Sequence, residues 1–323
     1  MFKHMPADLA VLDLALPVAE QAALMGKVCE EIGFFRVPVS AVDRSVVDEA
    51  WNAATEFFGL PENEKRRIEF PELGYPYGYS PFGYEALGRS IDGTKSAAPD
   101  LKESLSVGPD CGPSSAGSTD DDSWIRSPSL WPARPAELRS AWTAYYRALS
   151  SLAEHLMTVM AVALDLEPDH FASMIDRPIT SMRAIRYPRL DPAAAILVDS
   201  GSIRAGAHTD YGTLTILRTD DVAGLEVQDR HGAWVQVEPD PEMFVVNLGD
   251  SIAQWTNDRW RSTVHRVTPA SDTARQSMAF FHMANWDAVI ECLPTCLAPG
   301  ATPRHEPVQA GPWLMRKFQS TVV

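Results

Sequence analysis

Short apolar runs broken by Gly, Pro, Asp and Asn, beginning near Ser181, constrain this chain more than any other feature. They fall at residues 213–218, 225–228, 234–237, 243–247, 263–267 and 277–283. Runs this short and this close together predict an antiparallel β sandwich or barrel.

The first half has a different texture. Residues 9–16 read as a strand ending before Pro17. Apolar residues at Val18, Ala22, Met25, Val28, Cys29 and Ile32 then carry helical spacing up to a stop at Gly33. Residues 34–39 read as a strand. A second helix fits 43–58, with Val46, Val47, Ala50, Trp51, Ala54 and Phe57 on one face, and a short charged helix follows Pro61. Residues 135–166 have no internal Gly or Pro and repeat apolar residues from Leu138 to Ala163, which predicts one long amphipathic helix or two in succession. Residues 73–110 are rich in Gly, Pro and Tyr and keep no period, so a loop is expected, either on the substrate side or packed at the surface. The stretch 112–122 is linker-like but too short to mark a boundary. The expected fold class is α+β with a mainly β core. Residues 1–323 form one unit: a mainly helical layer over 1–170, carrying the loop region, and a double-sheet core over 181–290.

Charge narrows the function. A formal net charge of -15 argues against a surface that neutralises nucleic-acid phosphates or anionic lipid. No apolar run reaches a membrane span and the first ten residues lack a signal-peptide core, so a cytoplasmic protein is expected. Cys29, Cys111, Cys292 and Cys296 are too sparse for a disulfide framework. Cys292 and Cys296 have no second Cys/His pair with which to close a zinc site.

The chemistry gathers around residues 207–212. Side chains two apart on an extended chain project to one face, so His208 and Asp210 can address one ion. Such a pair is common by chance. It gains weight from His265, set among β-type residues on a later run. Two imidazoles and one carboxylate on one face of an octahedron suit Fe(II) and leave positions for O2 and a bidentate co-substrate. A closed structural site would need a fourth protein ligand, and none is evident. Ten residues further on, Arg275 and Ser277 share a strand face. Their forked N–H donors and hydroxyl match a carboxylate, from either a protein Asp/Glu or a ligand.

The pattern His208-x-Asp210, His265 and Arg275-x-Ser277 resembles the H-x-D…H…R-x-S signature of the isopenicillin N synthase-like Fe(II)/2-oxoglutarate oxygenases. CEEIGFF, PDLKESLSVG, RYPRLDP, AHTDYGTLTIL and RQSMAFF extend the likeness along most of the chain. The resemblance implies a double-stranded β-helix (jelly-roll) with flanking N-terminal helices and a long central helix. It implies Fe(II) on the three ligands, with 2-oxoglutarate and O2 as co-substrates. It also implies that Arg275 and Ser277 grip the far carboxylate of 2-oxoglutarate, with Tyr187 nearby. Where many plant members have Asn, this chain has Ile185. The implied reaction oxidises a small molecule, by hydroxylation in the first instance, and turns 2-oxoglutarate into succinate and CO2. Arg183, Arg186, Arg204, Tyr84, Asn247 and Phe281 are candidates for the substrate wall, with a surface salt bridge as the alternative for Arg204. Two other readings stand beside this one: an oxidase or cyclase of the isopenicillin N synthase type that omits 2-oxoglutarate, and a silent binding protein on the same fold. Retention of Asp210 argues against a halogenase, in which halide replaces that carboxylate.

Overall fold

The structure is a computed structural model that describes residues 9–72, 74–85, 100–109, 122–189, 204–268 and 273–321. Cys111, the linker-like stretch up to residue 121 and the middle of the 73–110 region lie outside these residues. Among the described residues, the larger antiparallel sheet has the spatial order β1 (Phe34–Pro38), β9 (Met243–Leu248), β6 (Leu214–Thr219), β11 (Arg275–His282), β4 (Ser181–Tyr187), β3 (Glu103–Val107) and β2 (Gly78–Ser80). A smaller sheet runs β5 (Ala205–His208), β10 (His265–Val267), β7 (Leu225–Gln228) and β8 (Trp234–Gln236).

Period two divides the work of the larger sheet. Met182, Ala184, Ile216, Val246, Met278 and Phe280 point outward into the main core with α1 (Val18–Glu31), α2 (Arg44–Phe58) and α3 (Leu138–Ala163). Tyr146 of α3 meets Phe280 edge-on at 5.1 Å. Each such large apolar side chain removed from water stabilises the fold by roughly 1.5–3 kcal/mol. The alternate residues face the smaller sheet across a cavity.

Local chemistry sets the helix ends. Asp43 caps α2 by accepting from the Ser45 amide at 2.8 Å. Gly33 ends the turn after α1 at φ +68°, where a Cβ would lie 2.1 Å from the Arg261 carbonyl oxygen. The long helix predicted over 135–166 is a single element, α3.

Two expectations are corrected. Residues 9–16 are not a strand: only Val11 bridges to Arg36, and a turn at Asp13, which accepts from the Ala15 and Leu16 amides, bends the chain away. The 73–110 region is not simply a loop, because it contributes β2 and β3 to the edge of the larger sheet. Both strands are buried throughout; in β3 Leu105 and Val107 face the main core while Ser106 faces the cavity. Glu103 in β3 is accommodated by buried Lys65 at 2.5 Å and the Tyr79 hydroxyl at 2.5 Å. No described helix is long and apolar enough to cross a membrane.

Candidate metal centre and co-substrate pocket

Strand pairing brings the three predicted ligands together. His265 of β10 is the register partner of His208 of β5, and Asp210 follows two residues after His208. One ligand atom from each lies within 4.8 Å of the others, and this is the one such His/Cys/Asp/Glu group among the described residues. His208 Nε2 and His265 Nε2 stand 3.9 and 3.7 Å from Asp210 Oδ1.

The far side of every ligand is anchored. His208 Nδ1 lies 2.6 Å from the Gly206 carbonyl, and His265 Nδ1 lies 3.1 Å from the Thr263 carbonyl. A carbonyl can only accept, so each Nδ1 carries the proton and each Nε2 keeps its lone pair for the centre. Asp210 Oδ2 accepts from Thr215 Oγ1 at 2.6 Å and Asn247 Nδ2 at 2.7 Å, which leaves Oδ1 toward the imidazoles. Such outer partners fix ligand orientation. Phe34 packs edge-on to His265 at 5.5 Å.

The electrostatics agree. Burial, helped by His265, lowers the His208 pKa to about 3, so the ring is neutral and free to coordinate. Burial alone would raise the Asp210 pKa, but the two imidazoles and the hydrogen bonds from Asn247 and Thr215 hold it below the ordinary value. Two imidazoles and one carboxylate, with no fourth protein ligand among the described residues, fit a ferrous ion.

The cavity has a volume of about 330 Å³. Arg275, Ser277, Ala279 and Phe281 of β11 line it beside Tyr187, Ile185, Arg183 and Ser181 of β4, their register partners. Arg275 is 1% exposed. Its Nε donates to the Val222 carbonyl at 3.3 Å and its Nη1 to Ser277 Oγ at 3.4 Å, and its Cζ sits 5.2 Å from the Tyr187 ring centre. No carboxylate pairs with it among the described residues. Asp220 feels its charge, but burial raises the Asp220 pKa, and both Asp220 oxygens already accept from the amides of Gln276 and Val222. A buried guanidinium so placed is suited to an anionic ligand, and a dicarboxylic co-substrate fits.

The remaining candidates divide. Arg183, Tyr84 and Phe281 line the cavity. Asn247 also reaches it, but its amide is committed to Asp210, so it orients a ligand rather than meeting substrate. Arg204 is 0% exposed and absent from the cavity lining; it donates to the Thr273 carbonyl and packs behind Tyr187, away from both the surface and the cavity. Arg186 falls on the opposite face of β4, as period two requires. His282 is buried outside the cavity, 2.7 Å from Thr213 Oγ1. Sequence reading missed Thr215, Glu85, Lys102 and the cavity-lining Leu314 and Phe318 of α4 (Ala310–Thr321). Polar residues interrupting apolar runs, such as Asn247 in MFVVNL, were the available signal.

Comparison with known proteins gives a consistent picture. Residues 179–284 match the profile of the 2OG-Fe(II) oxygenase superfamily, and residues 8–134 match that of the non-haem dioxygenase in morphine synthesis N-terminal region. The 2-oxoglutarate-Fe(II) type oxidoreductase hxnY of Emericella nidulans is 34% identical over 87% of this chain and 78% of its own. A homoarginine-6-hydroxylase of Oryza sativa is 32% identical over 93% and 89%. Among solved structures, a full-length Neurospora crassa protein in complex with alpha-KG and thymine superposes with a TM-score of 0.82 at 26% identity, covering 98% of each chain.

Proposed function

The chain belongs to the 2OG-Fe(II) oxygenase superfamily, and from that premise we propose which of its residues carry the chemistry. It is an Fe(II)- and 2-oxoglutarate-dependent dioxygenase, and its two-sheet core is the double-stranded β-helix of that family. In our assignment His208, Asp210 and His265 hold the iron, and Arg275 and Ser277 hold the distal carboxylate of 2-oxoglutarate beside Tyr187. One unit over 1–323 does this work, the 181–290 core carrying the iron site and the helices of 1–170 backing the larger sheet. The substrate is a small molecule: the cavity lies at the low end of the usual ~300–1,000 Å³ for ligand sites, and a solved relative holds thymine.

When bound, iron with 2-oxoglutarate and O2 supplies the oxidising chemistry, releasing succinate and CO2 as substrate is hydroxylated. The protein's own part is positional. Gly206 and Thr263 carbonyls fix the two imidazoles in one tautomer. Thr215 and Asn247 turn one carboxylate oxygen toward them. Aromatic walls, including Phe70, Tyr75, Trp124 and Phe281, exclude water from the reacting face.

The observation that carries the assignment is the convergence of three ligand atoms whose far sides are all tied down. Anaerobic Fe(II) titration tests it. Wild type should bind one equivalent, and Asp210→Ala should lose both that binding and succinate production on every substrate. Tight stoichiometric iron in Asp210→Ala would refute the ligand set.

A further inference from the structure

We propose that Arg183 and Glu85 form the substrate-recognition pair of this cavity, and that the pair selects an uncharged, flat molecule presenting a lactam-type edge, a C=O beside an N–H. The inference rests on the iron and 2-oxoglutarate assignment above, since it concerns the space those groups leave.

Arg183 is the cross-strand partner of Ala279, four residues along β11 from Arg275. At the rise of a strand this places it roughly 13 Å from the Arg275 position on the same cavity face. The end held by Arg275 is therefore separate from the end held by Arg183. Phe281 lies two residues beyond Ala279 on the same face of β11, Tyr84 adjoins Glu85, and both line the cavity with Trp124. Rings of this kind favour a flat partner, stacked or edge-on.

The polar groups at this end are already matched in charge. Arg183 Nη1 donates to both Glu85 oxygens at 3.0 Å, and Arg183 Nε donates to Ser106 Oγ at 2.8 Å. Lys102 Nζ sits 3.1 Å from Glu85 Oε2 and 3.1 Å from Asp100 Oδ2. Among the described residues two cations thus face two anions. Lys102 and Asp100 are almost fully buried, and Arg183 and Glu85 remain about a fifth exposed, at 21% and 19%. Burial would raise the Glu85 pKa, but Arg183 and Lys102 pull it down to about 2, so the carboxylate stays ionised.

A neutral network does not call for a charged ligand. A carboxylate placed against Arg183 would also meet Glu85, and an ammonium placed against Glu85 would also meet Arg183 and Lys102. What remains is hydrogen bonding. Among the described residues Arg183 Nη2 has no partner, and it belongs to a side chain that lines the cavity. Among the described residues Glu85 Oε1 accepts from Arg183 alone, whereas Oε2 also lies 3.1 Å from Lys102 Nζ. A donor on Arg183 beside a vacant acceptor site on Glu85 complements a C=O next to an N–H. Sites built to hydrogen-bond a ligand group discriminate strongly against analogues that lack it.

The test uses three bicyclic probes of similar size: neutral 2-quinolone, anionic 2-naphthoate and cationic 2-naphthylmethylammonium. Each is titrated calorimetrically, without oxygen, into protein loaded with Fe(II) and 2-oxoglutarate. Wild type should favour 2-quinolone by about tenfold or more over both ions. Arg183→Leu should erase that preference. Glu85→Gln keeps the shape but frees the guanidinium from its counter-ion, and the ranking should turn toward 2-naphthoate. Preference of wild type for either ion, no binding of 2-quinolone, or an unchanged ranking in both variants overturns the proposal. The affinity for 2-oxoglutarate is read from the same samples. Its loss in wild type would strike the co-substrate assignment instead, so the two failures are distinguishable.

Discussion

The two ends of the cavity each present an arginine from the same face of the same sheet, yet they ask for different ligands. Arg275 is sealed from water and receives a carbonyl, a hydroxyl and an aromatic face, but no carboxylate among the described residues. Arg183 is partly exposed and receives Glu85. A guanidinium left without a counter-ion demands an anion from the ligand. One already neutralised can only offer directional hydrogen bonds. The lesson is that the type of residue on a strand face does not define a subsite; the charges carried by neighbouring elements do.

The largest expected effect removes the unmatched end. Arg275→Ala should weaken 2-oxoglutarate binding by about 100-fold, in the range seen when one partner of a buried charge pair is truncated, and calorimetry reads this directly. Normal affinity in that variant would break the contrast outright. The opposite face of the same strand supplies a control, because His282 lies in the core rather than the cavity. Burial lowers its pKa to about 4. As pH falls from 6.5 toward 4 the unfolded chain takes up this proton before the folded one, so His282 contributes stability above pH 6.5 that is lost on acidification. The loss is about 3 kcal/mol at most. Urea unfolding should show the slope, and His282→Gln should flatten it without altering the ligand ranking.

Asn247→Ala removes one anchor of Asp210 and should weaken iron binding by about 10- to 100-fold, as outer-shell substitutions do, while probe selectivity at the Arg183 end stays as it was. Ser277→Ala should cost about fivefold in 2-oxoglutarate affinity, the worth of roughly one hydrogen bond. The smallest effect sharpens the comparison most: Arg183→Leu should change 2-oxoglutarate affinity by no more than about twofold, since separated sites act nearly independently. A large loss there would mean that the two ends are one subsite.

Much of this was legible from residue order. Turn residues between short apolar runs announced the antiparallel core, and unbroken helical spacing from Leu138 to Ala163 announced α3. His208-x-Asp210 announced a candidate metal pair because period two is a local property of a strand. β2 and β3 were not legible. Gly, Pro and Tyr surround them, β2 is three residues long, and the alternation in β3, with Leu105 and Val107 toward the core and Ser106 toward the cavity, spans too few residues to stand out. Nor could spacing tell Arg183 from Arg204. Both precede or lie on β segments, yet one enters the cavity and the other packs behind Tyr187.

Residue order by itself determined most of the helices, the antiparallel core, the candidate His208-x-Asp210 pair and the presence of an arginine suited to a carboxylate, because each follows from periodicity or side-chain chemistry within a few residues. Tertiary structure alone decided that His265 stands opposite His208, that Asn247 and Thr215 hold Asp210, and that Glu85 neutralises Arg183 while nothing described neutralises Arg275. Those facts depend on strand register and on contacts between groups as many as 98 residues apart. Electrostatic partnership is set by distance in space, which a one-dimensional pattern does not encode.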